Sequence, residues 1–253
     1  MFRAERKATS LRPASPEPDN AGGGTKVAST ILPGGGWFYF MSRAVIFVNG
    51  RLPDLESARR LLYPGDTLLA ADGGTRHILA LGLTASVIIG DLDSITEQEQ
   101  HGQEIAGCKF IKYSHDKNET DLELALRYAI EAGYHEILIV GALGGRLDQT
   151  LGNLSLLTGS EFTGLEVRVN DGVEEAWFVR TKCVVLGKNG DTVSLLPWCE
   201  EVSGVTTGGL RWALRDETLF PDKTRGISNE MMSETASISL KSGLLLVIHT
   251  YKS

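Results

Sequence analysis

Four separate stretches of this sequence place carboxylates beside glycine or one residue apart. They are Asp72-Gly73-Gly74, Gly90-Asp91-Leu92-Asp93-Ser94, Asp116-Lys117-Asn118-Glu119-Thr120-Asp121 and Gly141-Ala142-Leu143-Gly144-Gly145-Arg146-Leu147-Asp148. Taken singly, each has an ordinary explanation. Asp72 before two glycines suits a turn, Ser94 with Glu97 suits a capping box, and Asp121 suits the positive end of a helix. Brought together they are another matter, because two carboxylates ~4 Å apart repel by about 4 kcal/mol at an effective dielectric of roughly 20. Such a cluster requires cations.

Oxygen donors unaccompanied by His or Cys select Mg²⁺ over zinc, and Mg²⁺ is ordinarily held by a few carboxylates together with substrate phosphates. Asp91, Asp93 and Asp121 are the expected metal ligands. Their Asp-x-Asp spacing works on a loop, where both side chains turn inward, whereas residues two apart on a helix diverge. Phosphates have candidate partners as well. The backbone N–H groups of Gly144, Gly145 and the helical turn that follows can meet a phosphate, although the glycine pair equally suits a plain strand-to-helix turn. Arg146 offers a bidentate fork and Lys117 a point charge.

The elements that must position these residues are legible in the hydrophobic pattern. From Arg43 to about Asn170, short apolar runs alternate with helical patterns, as in repeated βαβ units around a parallel sheet. The expected strands are Ala44 to Asn49, Thr67 to Ala71, Ser86 to Ile89, Lys109 to Lys112, Glu136 to Val140 and Leu165 to Val169. Asp54 caps an expected helix through Leu62, Gly82 ends one through Leu81, and Thr120 with Glu123 opens another with a capping box. Open parallel sheets bind ligands at the carboxyl ends of their strands. Four consecutive strand ends then point carboxylates at one rim.

After about Gly172 the helical period disappears. Ala176 to Val179, Cys183 to Leu186, Thr192 to Leu196, Ile238 to Leu240 and Leu244 to Ile248 read as strands of an antiparallel β domain, whose edges a dimer would cover. The expected organisation is a disordered extension over 1–40, an α/β domain over 41–171 and a β domain over 172–253. The extension holds four of the eight prolines and two glycine triplets, and Met41 stands just ahead of the first strand as an alternative start.

Composition narrows the function. The 253 residues carry a formal charge of −7, which argues against gripping nucleic acid or an anionic membrane by bulk charge. Cys108, Cys183 and Cys199 form no C-x-x-C pair, so free thiols in a reducing cytoplasm are expected. No apolar run approaches the ~20 residues that span a bilayer.

The four acidic and glycine-rich blocks, the last extended through Gln149, resemble the signature blocks of the thiamine pyrophosphokinase family. So do Thr206-Thr207-Gly208-Gly209-Leu210-Arg211-Trp212 and Gly226-Ile227-Ser228-Asn229-Glu230, and the similarity runs over about residues 43–250 in family order. The resemblance implies a Rossmann-like α/β domain followed by an all-β sandwich, a homodimer, and transfer of pyrophosphate from MgATP to the thiamine hydroxyl with release of AMP. It implies that Asp72, Asp91, Asp93 and Asp121 form the acidic metal and nucleotide site, with Lys117, Arg146 and Asp148 around the phosphates and either Asp93 or Asp121 taking the alcohol proton. Trp212, Ser228 and Asn229 would belong to the thiamine side, in a pocket built from two subunits. Asn118 stands where many bacterial members carry an aspartate. Two rival expectations are a pyrophosphokinase acting on another alcohol, such as a pterin, and a non-catalytic MgATP sensor.

Overall fold

The computed structural model describes residues 43–252, apart from Pro53 and Cys199. The expected extension over 1–40, Met41 and the thiol of Cys199 therefore lie outside the described residues. Six parallel strands open the fold: β1 (Ala44–Phe47), β2 (Thr67–Ala71), β3 (Val87–Gly90), β4 (Lys109–Lys112), β5 (Glu136–Val140) and β6 (Glu166–Asn170). They lie in the order β6-β5-β1-β2-β3-β4. From β1 the chain steps outward through β2 and β3 to β4, then crosses back to place β5 on the other side of β1. The order thus reverses between β1 and β5.

The helices between the strands are α1 (Leu55–Arg60), α2 (Thr75–Ala80), α3 (Glu97–Ile105), α4 (Asp121–Glu131) and α5 (Leu147–Leu156). Alternation along the strands divides the core into two layers. Val45 and Phe47 of β1 pack with Ala58 of α1 and Ile78 of α2. Ala44 and Ile46 pack on the other face with Leu122, Ala125, Leu126 and Ala129 of α4 and Leu154 of α5. A strand buried on both faces must be apolar throughout, as β1 is.

The local signals account for most helix ends. The Asp54 carboxylate accepts from the N–H groups of Glu56 and Ser57 to start α1, and Gly82, with φ +67°, follows α2. Thr120 caps α4 by accepting from Glu123 N–H at 3.2 Å. One expectation is corrected: α3 is capped by Thr96 and Glu99, in a reciprocal box, and not by Ser94 and Glu97. Ser94 lies in the loop after β3, and the cap falls two residues later, at Thr96.

The strands that follow are β7 (Glu174–Val179), β8 (Lys182–Leu186), β9 (Thr192–Pro197), β10 (Val202–Gly208), β11 (Glu217–Leu219), β12 (Asn229–Glu230), β13 (Thr235–Ser239) and β14 (Leu245–Thr250). The first of them, β7, pairs antiparallel with β6, and the sheet continues through β14 and β9 to β12. A second sheet, β11-β10-β13-β8, covers it. Val193, Leu195, Leu245 and Val247 of the first sheet and Val185, Val205, Ala236 and Ile238 of the second share one buried layer. This is the expected fold class, a parallel α/β sheet followed by an antiparallel sandwich, with ten strands hydrogen-bonded as one sheet.

Candidate active site

The reversal of strand order marks the carboxyl ends of β1 and β5 as the place for a ligand. A cleft of about 460 Å³ lies there, lined by Asn49, Gly50, Asp72, Thr120, Asp121, Gly141, Gly144 and Asp148, among others. Its floor is tight. A Cβ on Gly50 would collide with the Gly141 carbonyl, so these two loops touch only because Gly50 is glycine. His77 Nε2 lies 2.8 Å from the Gly50 carbonyl, and burial pushes its pKa below the ordinary histidine value. A neutral ring facing a carbonyl oxygen must donate from that nitrogen, so His77 fixes the loop.

The acids converge beside this floor. Asp72, with φ +41°, follows β2, and its Oδ1 is buried without a hydrogen-bond partner. Burial pushes its carboxyl above the usual range; the Ser94 hydroxyl and Gly73 N–H pull it down, and Asp121 and Asp91 push it up again. Gly90 ends β3 between them: a Cβ there would stand 2.8 Å from Asp72 Cβ and 3.2 Å from Asp121 Oδ1. The next three residues bend sharply at Leu92, φ +66°, a conformation costly for a bulky side chain. Both aspartates of the Asp-x-Asp pair then serve one side, and Asp91 Oδ1 accepts from Asp93 N–H at 3.3 Å. That hydrogen bond is the main reason the Asp91 carboxyl sits below its ordinary range, with His115 and Lys117 adding to it.

The three expected metal ligands are not equivalent in this arrangement. Asp91, Asp93 and His115 offer ligand atoms within 4.8 Å of one another, whereas Asp121 Oδ1 is paired with the Lys117 ammonium. His115 was passed over in the sequence because it stands alone, yet it borders the segment already identified by its acids. Arg146 and Asp148 pair with each other at the surface, and only Asp148 also lines the cleft. Gly144 and Gly145 have φ +75° and +91°, so the pair serves the turn geometry that brings the start of α5 to the cleft. Trp212, Ser228 and Asn229 stand elsewhere. Asn229 is buried, accepts from Trp212 N–H at 3.0 Å and donates to the Trp212 carbonyl at 2.7 Å, which holds an exposed indole at the sandwich edge.

Residues 58–169 match the family model described as "Thiamin pyrophosphokinase, catalytic domain" and residues 182–245 the one described as "Thiamin pyrophosphokinase, vitamin B1 binding domain". The thiamine pyrophosphokinase of Bacillus subtilis is 32% identical over 184 residues, which is 72% of this chain and 86% of that protein. The chain belongs to the thiamine pyrophosphokinase family. Thiamine pyrophosphokinase 1 of Oryza sativa subsp. japonica is 27% identical over 232 residues, 81% of this chain and 86% of that one. The crystal structure of the Bacillus subtilis thiamine pyrophosphokinase superposes with a TM-score of 0.75 at 27% identity, covering 84% of this chain and all of that one.

Within this thiamine pyrophosphokinase fold, several lining residues escaped the sequence reading. Asn49 and Gly50 follow β1, the one strand end of the first five to carry no acid, and only the strand order reveals that the cleft opens beside it. Gln149, Gly152, Asn153 and Leu156 line the same cleft as Asp148. Their spacing puts them on one face of α5, a helical period visible in the sequence once the helix is known to border a ligand.

Proposed function

We propose that the switch-point cleft binds ATP as its Mg²⁺ complex and that the chain transfers the terminal pyrophosphoryl group to the hydroxyethyl oxygen of thiamine, releasing AMP. The observation that carries this is the convergence of carboxylates from three strand ends, with Lys117 among them, on one rim of a cleft floored by glycines. The donor set fits a hard divalent ion: Asp91 and Asp93 would hold it, and a cation nearby would relieve the burial of the unpartnered Oδ1 of Asp72. When bound, such an ion supplies charge neutralisation to the phosphate oxygens.

The chain's own residues supply the rest. Gly144 and the first N–H groups of α5 would meet phosphate oxygens, and Lys117 can exchange its Asp121 contact for the transferring group as negative charge develops there. The oxygen of the alcohol forms its bond to the β-phosphorus, and the bond from that phosphorus to the α,β-bridging oxygen breaks, leaving AMP. The alcohol proton passes to Asp93 or Asp121.

The thiamine side rests on Trp212, Ser228 and Asn229. Arg211 lies over the Trp212 ring, 5.1 Å from its centroid, so a cationic thiazolium would meet the opposite face. These residues neighbour β12, six strand steps from β1, about 29 Å of sheet at ~4.8 Å a step. One chain thus cannot close both halves of a site, which supports a homodimer in which each pocket is shared. Exposed Leu147 and Leu151 on α5, beside the cleft, and exposed Trp212, Ile227 and Met232 at the sandwich edge are apolar surfaces such a dimer would cover. With thiols at Cys108 and Cys183 free and ATP as co-substrate, we place the enzyme in the cytoplasm; no described helix is long and apolar enough to cross a membrane.

Product analysis tests the reading. Full-length protein with ATP, Mg²⁺ and thiamine yields AMP and thiamine pyrophosphate in equal amounts. ATP binding without AMP would replace it with the sensor reading, and faster AMP release with a pterin alcohol would change the acceptor. Family membership supports neither rival.

A further inference from the structure

The segment after β4 is tied down in a way that aims one side chain at the acids. Tyr113 N–H donates to the Gly90 carbonyl at 2.9 Å, extending the pairing of β4 with β3 to the edge of the Asp91 loop. Asp116 N–H then donates to Ser114 Oγ at 3.3 Å and Lys117 N–H to the His115 carbonyl at 3.0 Å, so the chain turns back on itself at His115. The result sets His115 Nε2 4.0 Å from Asp91 Oδ2, with the imidazole 80% exposed and Asp93 completing the group. Donor atoms around a six-coordinate ion with bonds of about 2.1 Å lie about 3.0 to 4.2 Å apart. The observed separations approach that range before any side chain moves.

We propose that His115 is a nitrogen ligand of the divalent ion held by Asp91 and Asp93, and that it shifts this chain's metal preference from Mg²⁺ towards Mn²⁺ or Co²⁺. The proposal rests on the metal reading given above and deepens it. Mg²⁺ binds imidazole poorly and keeps oxygen ligands, whereas the first-row divalent ions accept a nitrogen donor more readily, increasingly so from Mn²⁺ to Co²⁺. An exposed ring also has little to lose. It makes no other polar contact among the described residues, so turning it by one rotamer onto an ion breaks nothing. A simple ion pair with Asp91 is the competing account of the same geometry, and it makes a different spectroscopic prediction.

The test uses the full-length protein with Mn²⁺ alone as the probe, and reads binding by the loss of the free-ion electron paramagnetic resonance signal. Mg²⁺ is measured by its competition with Mn²⁺. His115→Gln should weaken Mn²⁺ by about tenfold, the scale on which ligand-sphere changes act, and Mg²⁺ by clearly less. The bound Mn²⁺ should show nitrogen-14 echo modulation that vanishes in His115→Gln, while Asp91→Asn weakens both ions. If Mn²⁺ binds and Asp91→Asn weakens it, but nitrogen modulation is missing or survives in His115→Gln, the histidine is only an ion-pair partner and the proposal fails while the carboxylate site stands. If Asp91→Asn leaves Mn²⁺ binding unchanged, the carboxylate site itself is wrong and the proposal falls with it. Unaltered circular dichroism in both variants excludes unfolding as the cause.

Discussion

Asp72, Gly90 and Asp121 occupy a space in which each limits the others. Asp72 is turned into positive φ and buries an oxygen with no partner, and the missing side chain of Gly90 leaves the room both carboxylates use. Arrangements of this kind oppose stability and persist where charge must be concentrated. Gly90→Ala should therefore cost about 1–3 kcal/mol by overpacking and lower turnover further than that loss explains, because the added methyl displaces Asp72. Denaturant unfolding with steady-state assays would show both effects; normal turnover would mean that the position of Asp72 is immaterial. Asp93 offers the opposite case. It is exposed and contributes little to folding, so Asp93→Asn should retain the wild-type melting temperature and lose nearly all turnover. Near-normal rates at saturating Mg²⁺ would remove Asp93 from the site.

At the scale of elements, a single buried carboxylate joins two strands whose connection is remote in sequence. Asp191, in the turn before β9, accepts from Lys188 N–H at 2.8 Å and from Lys252 N–H, just past β14, at 2.9 Å, and lies 2.9 Å from His249 Nε2. Burial alone raises its pKa, but these donors outweigh it and hold the carboxyl below the ordinary range. A depressed carboxylate contributes stability that is present above the unfolded-state pKa and lost as pH falls through the native one. Asp191→Asn should accordingly cost about 2–3 kcal/mol near neutral pH, and the wild-type and variant stabilities should converge on acidification. A loss that stays constant down to acid pH would show that shape, not charge, is what Asp191 supplies. Elements also mark how far the sequence could be read. The parallel strands declared themselves because β1 and β5 are apolar on both faces. By contrast, β10 went unseen because a bulge at Gly204, φ +68°, separates its paired Val202 and Val205 by three residues and so breaks the two-residue period. The short strands β11 and β12 carry too few residues to show any period. The acids at the strand ends were visible as types, but their grouping was not: that His115 joins Asp91 and Asp93 while Lys117 takes Asp121 depends on the bend at Leu92 and the turn after β4.

For the whole molecule, the ten-stranded sheet is the decisive fact. Asp171 accepts from the N–H groups of Val173 and Glu174 at 2.9 and 2.8 Å, so the chain reverses between β6 and β7 without leaving the sheet. On the proposed function the two ends of that sheet would carry complementary halves of the chemistry, the acids after β2 to β4 and the Trp212–Asn229 clamp beside β12. A rigid connection of this kind prevents one chain from folding its own sandwich edge onto its own cleft, and the two-fold dimer proposed above would solve the problem by exchanging halves. Complementation tests this directly. Asp93→Asn damages only the cleft, and Trp212→Ala, at an exposed position, damages only the thiamine side. Each variant dimer alone should be nearly inactive at low thiamine. Co-expressed in equal dose, half the dimers are mixed, and each mixed dimer contains one site with intact Asp93 from one chain and intact Trp212 from the other. Activity should return to about a quarter of wild type, the fraction expected for random pairing of two-fold dimers. If each chain built its own site, every site in the mixture would carry a lesion, and co-expression would recover nothing.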